Sequence, residues 1–302
     1  MALRDAQVCT AVHASPLTWT TRVLWMLLPV TLGGLLGEAA RGSDGATGSA
    51  VAAWAVWTVG LFAAFVMLPS ALVVLRVVAP LPLLGGVIAA VSELPDPLGW
   101  VGLANAAAVA VVAMSADVGS GFINGASYGD ERRVSLRVPT PLLIGPLEAV
   151  WVCTAVPIPV AVSLLVSGQW VGAALLGVVG AVLAVAGFRA LSRLTRRWLV
   201  LVPAGITIVD DMALAEPILL PRTSIRRLGP APADTDATDL TVGAAGLILQ
   251  ADLTDPIEIV PAVTRRGGIA TPVEVDAVLV APSRPGDLLA VAQERRIAVD
   301  RT

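Results

Sequence analysis

Between residues 23 and 188 the chain runs through long apolar blocks separated by short polar intervals; from residue 198 onward apolar and polar residues alternate instead. A helix needs about 20 apolar residues to cross the hydrocarbon core of a bilayer. Six blocks approach or meet that length: Val23–Ala40, Val51–Leu75, Val77–Val91, Leu98–Met114, Leu142–Val166 and Val171–Phe188. They predict an α-helical transmembrane bundle of six helices over residues 23–188, behind an N-terminal tail of residues 1–22. The third block is short and carries Pro80 and Pro82 near its start, so neighbouring helices must cover the carbonyls that proline frees. The polar stretch before Val23 is long for the head of a cleaved signal sequence, and the first block is read as a retained span.

Arginines decide the orientation. Arg41 and Asp44 lie between blocks one and two, Glu93 and Asp96 between three and four, and the neutral "SGQW" between five and six. The opposite side collects Arg4, Arg22, Arg76, Arg132, Arg133, Arg137, Arg189, Arg193, Arg196 and Arg197. Basic loops stay on the cytoplasmic side. The alternation holds only if all six blocks cross, which predicts a multipass plasma-membrane protein with both termini cytoplasmic. Trp54, Trp57, Trp100 and Trp170 fall at predicted outer ends and Trp19 and Trp198 near inner ones, as an interfacial residue should. Trp25 and Trp151 lie deeper and are read as packing residues.

From Trp198 the period shortens to that of strands. "WLVLV", a "PAG" turn and "ITIV" read as a hairpin; "PILLP" and "SIRRL" follow. After the polar linker "GPAPADTDATD" come "LTVG", "GLILQAD", "PIEIVP" and "VEVDAVLVAP" as further strands. Glu216-Pro217-Ile218 and Asp255-Pro256-Ile257 suggest two faintly similar halves. "SRPGDLLAVAQERR" reads as a closing helix, with Pro285 and Asp287 early and Arg295 and Arg296 late. Leu288, Val291 and Ala292 would face the sheet. Residues 198–302 are thus expected to form a small, mostly β barrel or sandwich. Ahead of it, residues 189–197 form a basic collar whose Arg189, Arg193, Arg196 and Arg197 would share one helix face beside anionic lipid, anchored by Trp198.

Composition agrees. The 302 residues are 56% hydrophobic and only 14% charged, against about 25% charged in soluble domains. All basic residues are arginine. Residues 198–302 carry a net charge of −5, which argues against nucleic acid, whose phosphates require clustered bases. Cys9 and Cys153 are too far apart in character and sequence for a disulfide framework, and with His13 as the single histidine no His-based metal cluster or triad can be built. No catalytic residue, metal ligand or cofactor is expected.

Few polar groups interrupt the blocks. Glu38 falls at an outer end. Glu148, two turns into the fifth block, is placed to pair with Arg76 or Arg137, as a packing ion pair or an ion site. Asn105 is placed to hydrogen-bond across helices. Gly33 and Gly37, Gly102 with Ala106 and Ala110, and Ala173 with Gly177 and Ala181 form small-residue stripes, suited to bundle packing or to a homo-oligomer. The loop "SADVGSGFINGASYGDERRVSLRVPTP" lacks the strand and helix context of a phosphate loop and reads as a flexible linker, with "RVSLRV" along the membrane surface.

"RRWLVLVPAGITIVDD" followed by "ILLPRTSIRRL" resembles the opening of the pleckstrin-homology-like domains carried by bacterial, actinobacterial-type, membrane proteins. Trp198, Gly205, Pro221 and Ile225 match the family's aromatic, turn glycine, strand-leading proline and following isoleucine, over about residues 196–298. Arg222 stands where the family often has an aromatic. The resemblance implies a binding or scaffolding module with no catalytic set. The expectation is a membrane scaffold whose partners are the lipid bilayer and a protein bound by the cytoplasmic domain. The alternative is a small transporter or channel with a regulatory domain, since Pro157 and Pro159 break the fifth block much as Pro80 and Pro82 break the third.

Overall fold

The computed structural model describes residues 15–41, 45–262 and 271–300. Arg4, Cys9, His13 and Asp44 lie outside the described residues. The first helix, α1, spans Pro16–Ala40 and begins well ahead of the apolar block. Ser15 caps it by accepting the Thr18 amide, Pro16 opens it, and Thr20 and Thr21 return their hydroxyls to the carbonyls of Pro16 and Leu17. These polar residues therefore join the helix rather than the tail.

The second span, α2, is Ala46–Phe65, and the third is a broken pair, α3 (Pro69–Val78) and α4 (Leu81–Ser92). The break between spans two and three falls at Val66–Leu68, not at Arg76. Pro69 suits the first position of a helix, and Arg76 lies inside α3. Helix α5 spans Pro97–Met114, capped by Asp96 on the Gly99 amide. The fifth span is α8 (Pro146–Ala155) plus α9 (Pro157–Val166), and the sixth, α10, runs Trp170–Thr195. Thr140–Leu143 is a separate single turn, α7. Joined across their breaks, six helices among the described residues are long and apolar enough to cross a membrane, the mark of a multipass membrane protein. Outward-facing Phe62, Val111, Val171 and Val182 give the bundle an apolar surface.

Helix α1 packs on α2, α4 and α5, with Trp25, Leu28, Leu32 and Leu35 of one face buried in the main bundle core. Trp25 and Trp57 exchange hydrogen bonds: each indole donates to the other's backbone carbonyl, at 2.9 and 3.0 Å. Trp57 is thus a helix-pairing residue rather than an interfacial one. Trp151 donates to the Val77 carbonyl at 2.9 Å, in the last turn before the Pro80/Pro82 break. Asn105 donates to the Leu24 carbonyl and the Thr31 hydroxyl on α1.

The small-residue stripes divide. A Cβ at Gly102 would meet the Thr31 backbone, and Ala106 is fully buried. Ala173 is buried and Gly177 sits against Ala161. Gly33 and Gly37 instead face outward, with open space where a Cβ would be, so they do not pack the bundle. A close approach lies at Gly60, where a Cβ would overlap the Trp25 indole. Gly60→Val should therefore destabilise the protein by about 1–3 kcal/mol. Its thermal midpoint in detergent should fall well below that of Gly33→Val, a change at an open position; equal midpoints would disprove the packing role.

The polar loop after α5 is not a linker. It folds as helix α6 (Ala116–Asn124) and strand β1 (Arg132–Ser135). Strands β2 (Trp198–Val202), β3 (Gly205–Val209) and β4 (Ile218–Pro221) complete one antiparallel sheet in the order β1-β2-β3-β4. The second sheet has the order β5-β7-β8-β6, from β5 (Ile225–Pro230), β6 (Thr238–Asp239), β7 (Leu249–Ile259) and β8 (Val273–Val280). The C-terminal helix α11 (Pro285–Glu294) closes the domain with Leu288, Leu289 and Ala292 buried.

Two strand expectations change. "LTVG" is a turn with Val242 at φ +57°, and "GLILQAD" and "PIEIVP" join in the single strand β7. The ladder with β8 shifts register between Asp252 and Ile257, which lets Pro256 stay in the strand without a ladder donor. The two faint halves are therefore not structural repeats. One core runs between both sheets and α11, built from alternating residues such as Leu199, Leu201, Ile206, Ile208, Leu249 and Val278, together with Val134 of β1.

Candidate functional site

The feature that organises the molecule is the junction of bundle and β domain, and it is built from the segment between α5 and α8. Strand β1 pairs antiparallel with β2, Ser135 opposite Trp198 and Arg132 opposite Leu201. Alternation puts Val134 into the domain core, 6% exposed. The chain then continues against the other sheet's end: Leu136 bridges Pro282, the Arg137 amide donates to the Ala281 carbonyl, and Thr140 exchanges hydrogen bonds with Gly243 and Ala245. Asn124, at the end of α6, accepts from the Arg133 amide and donates to the Arg133 carbonyl, holding β1 to the helix. Helix α6 packs on α1, α3 and α5. Ion pairing of Asp117 with Arg284, and donation from Arg295 to the Asp130 carbonyl, tie the same region to the ends of α11. Burial holds the Arg295 pKa below its ordinary value.

At the centre lies Arg197. Helix α10 ends at Thr195, so the expected four-arginine stripe is broken: Arg189, Arg193 and Arg196 are exposed, whereas Arg197 turns into the domain. Its side chain is 1% exposed and that of Asp210 0%. Arg197 Nε lies 2.9 Å from both Asp210 carboxylate oxygens, and Nη2 lies 2.8 Å from Oδ2. Nη1 donates to the Arg137 carbonyl at 2.8 Å and Nη2 to the Thr241 carbonyl at 3.3 Å. Asp210 also accepts the Met212 amide. One guanidinium thus joins the inter-span loop, the first sheet and the second. Arg197 is not a lipid-facing anchor. Trp198 is half-buried, with the Arg133 guanidinium 5.6 Å above its ring.

The residues singled out inside the membrane blocks have structural partners. Glu148 does not meet Arg76 or Arg137. It sits at the third position of α8 and accepts the Gly145 amide at 2.7 Å, half of a capping arrangement, because the helix starts at Pro146 rather than at Leu142. Arg76 donates to the Ala113 and Ser115 carbonyls at the C-terminal end of α5. Arg22, buried at 6% exposure, does the same for α2 through the Ala64 carbonyl and stacks on Trp19 and Phe65. Both are cations at the negative end of a helix dipole. Arg137 Nε donates to the Pro282 carbonyl. Glu38 pairs with Arg41 at 3.1 Å on the surface.

Sequence reasoning missed Asp210 and Asn124. A signal for Asp210 was present: the two-residue Pro203-Ala204 turn pairs Val202 with Gly205, and counting back along that hairpin sets Arg197 opposite Asp210. Nothing local marks Asn124, whose partner strand belongs to a sheet completed some 70 residues later.

Beside the junction a cavity of about 330 Å³ opens between the start of α3 and the end of α10, lined by Ser70, Arg133, Phe188, Ser192, Arg196 and Trp198 among others. Among the described residues no group of His, Cys, Asp and Glu side chains is arranged to hold a metal ion.

Fold and junction together define a multipass membrane protein with a β domain clamped to one end of its bundle. No protein-family model, curated protein or solved structure matches this chain.

Proposed function

We propose that the chain is a plasma-membrane scaffold whose β domain, on the cytoplasmic side, binds a protein partner at a fixed distance from the bilayer. The observation that carries this reading is the insertion of β1. A module on a flexible tether would need no strand from an inter-span loop, whereas a module that must present one face in one orientation gains from it. The arginine bias supports the cytoplasmic placement: Arg132, Arg133, Arg137, Arg189, Arg193 and Arg196 all belong to the β-domain end of the bundle.

The pleckstrin-homology-like reading has support in the two sheets and the closing helix. Trp198 opens β2, Gly205 opens β3 and Ile225 opens β5, as the resemblance implies, whereas Pro221 ends β4 instead of leading a strand. Gly205 is required there because a Cβ would overlap the Leu220 carbonyl of β4. The transport alternative rests on the paired proline breaks, which remain as α3/α4 and α8/α9; Glu148, its candidate ion site, is a helix cap instead, and that part of its support is lost.

Proximity labelling from a C-terminal tag in the native host tests the proposal. A protein neighbour that recurs above an unrelated multipass control is expected. Labelling indistinguishable from that control would sink the scaffold reading, and a reporter after Thr302 active only outside the cell would sink its topology.

A further inference from the structure

The cavity beside the junction has a chemistry that the scaffold reading does not use. It lies where the third span begins, at Pro69, and where the sixth ends, at Thr195, which is the level at which the bundle gives way to the β domain. Its volume of about 330 Å³ is that of a small-ligand site. Its polar lining is donor-rich. Arg133 gives Nη2 to Glu131 at 2.9 Å and lays its guanidinium over Trp198, while its Nε is buried without a hydrogen-bond partner. The Ser192 hydroxyl is likewise buried and unpartnered. Buried polar groups are normally satisfied, and an orphan that lines a cavity calls for an explanation. Arg196 and Ser70, the latter in the first turn of α3, also line it and are exposed. Two guanidinium groups and an orphaned hydroxyl are matched by a group that is anionic and only accepts hydrogen bonds. A cation or a donor-rich ligand would leave Arg133 Nε unsatisfied. The remaining wall is apolar, from Phe188 of α10 and Leu68, which is 46% exposed. A free phosphate has no use for that wall; an acyl chain does.

We infer that this cavity binds the phosphate ester of an anionic phospholipid, with the headgroup between Arg133 and Arg196 and the chains leaving past Phe188 and Leu68. The inference rests on the membrane placement of the bundle and not on any protein partner, so it stands or falls apart from the scaffold proposal. A lipid held there would contact both the bundle and β1, and would stiffen the junction.

The test uses the full chain in detergent, with native mass spectrometry on addition of phosphatidylglycerol, phosphatidylcholine or glycerol 3-phosphate. One phosphatidylglycerol per chain should be retained in preference to phosphatidylcholine. Arg196→Glu and Ser70→Glu, both at exposed positions that the fold tolerates, should each weaken that binding about tenfold. Arg222→Glu, in the turn after β4 and away from the cavity, should leave it unchanged. Unaltered thermal midpoints confirm that the variants are folded. Equal retention of phosphatidylglycerol by Arg196→Glu and the parent overturns the inference. So does phosphatidylcholine binding as tightly as phosphatidylglycerol, and so does glycerol 3-phosphate binding as tightly as the lipid, which would make the ligand a soluble phosphate ester.

Discussion

Asp210→Ala should destabilise the β domain by about 3–5 kcal/mol, because it leaves Arg197 as an uncompensated charge in a site with almost no access to water. The parent pair is held by three contacts of 2.8–2.9 Å between guanidinium and carboxylate. Stability of a whole domain is only about 5–15 kcal/mol, so the loss should appear as an early unfolding transition and as protease cleavage within residues 198–300 while the bundle stays intact. The double variant Arg197→Met with Asp210→Leu separates charge from shape. Replacing a buried ion pair by apolar residues is often close to neutral. Here two carbonyls, of Arg137 and Thr241, also lose their donor, so the double variant should recover much of the loss and retain a deficit of about 1–3 kcal/mol. An Asp210→Ala protein with the parent's melting profile and protease resistance would show that the pair does not hold the junction.

The second large effect concerns the borrowed strand. Residues 196–302 expressed alone should fail to fold cooperatively. Without β1 the edge of β2 is unpaired along Trp198–Leu201, and the core loses Val134 and Leu136, both less than 10% exposed. Each such side chain contributes about 1.5–3 kcal/mol on burial. A fragment in which residues 130–141 precede Arg196 through a short Gly/Ser linker should fold. The antiparallel pairing brings Leu136 beside Arg197, where the Leu136 amide donates to the Arg197 carbonyl at 2.9 Å. Circular dichroism and amide-shift dispersion in solution distinguish the two. Cooperative melting of the 196–302 fragment by itself would mean that β1 decorates the domain and does not complete it.

Much of this architecture was legible in the chain. Six spans, their count, a β domain after them and a closing helix all follow from the period of apolar residues, and each span boundary that moved did so for a local reason. Helix α1 reaches back to Pro16 because Ser15, Thr20 and Thr21 satisfy backbone groups that a hydropathy profile treats as merely polar. The second span stops at Phe65 because Pro69 starts the next, and Arg76 can sit inside a span because the end of α5 supplies carbonyls for it. Hydropathy scores a residue by its solvent preference, and a side chain that finds backbone carbonyls inside the protein has left that scale.

The roles of the arginines were much less legible. Arg189, Arg193, Arg196 and Arg197 look alike in sequence, at spacings that suit one helix face. Three of them stay on the surface and the fourth, Arg197, is almost fully buried in the domain, because the helix ends at Thr195 and hairpin register aims Arg197 at Asp210. A register of that kind lies within reach of sequence reasoning, since it depends on one short turn. The docking of β1 does not. "RVSLRV" alternates as well on a membrane surface as in a sheet, and its alternation fits more than one edge.

What the sequence by itself determined is therefore the periodic part: which stretches cross the bilayer, which form strands, and where local caps and prolines begin and end them. Those outcomes depend on neighbours a few positions apart. Only the tertiary structure decided that an inter-span loop completes the β domain, that Arg197 leaves the collar, and that Gly33 and Gly37 face outward while Gly60 and Gly102 pack. Each of these is a choice among partners far apart in the chain, and it is settled by which unpaired edge, orphaned carbonyl or vacant groove the rest of the fold presents.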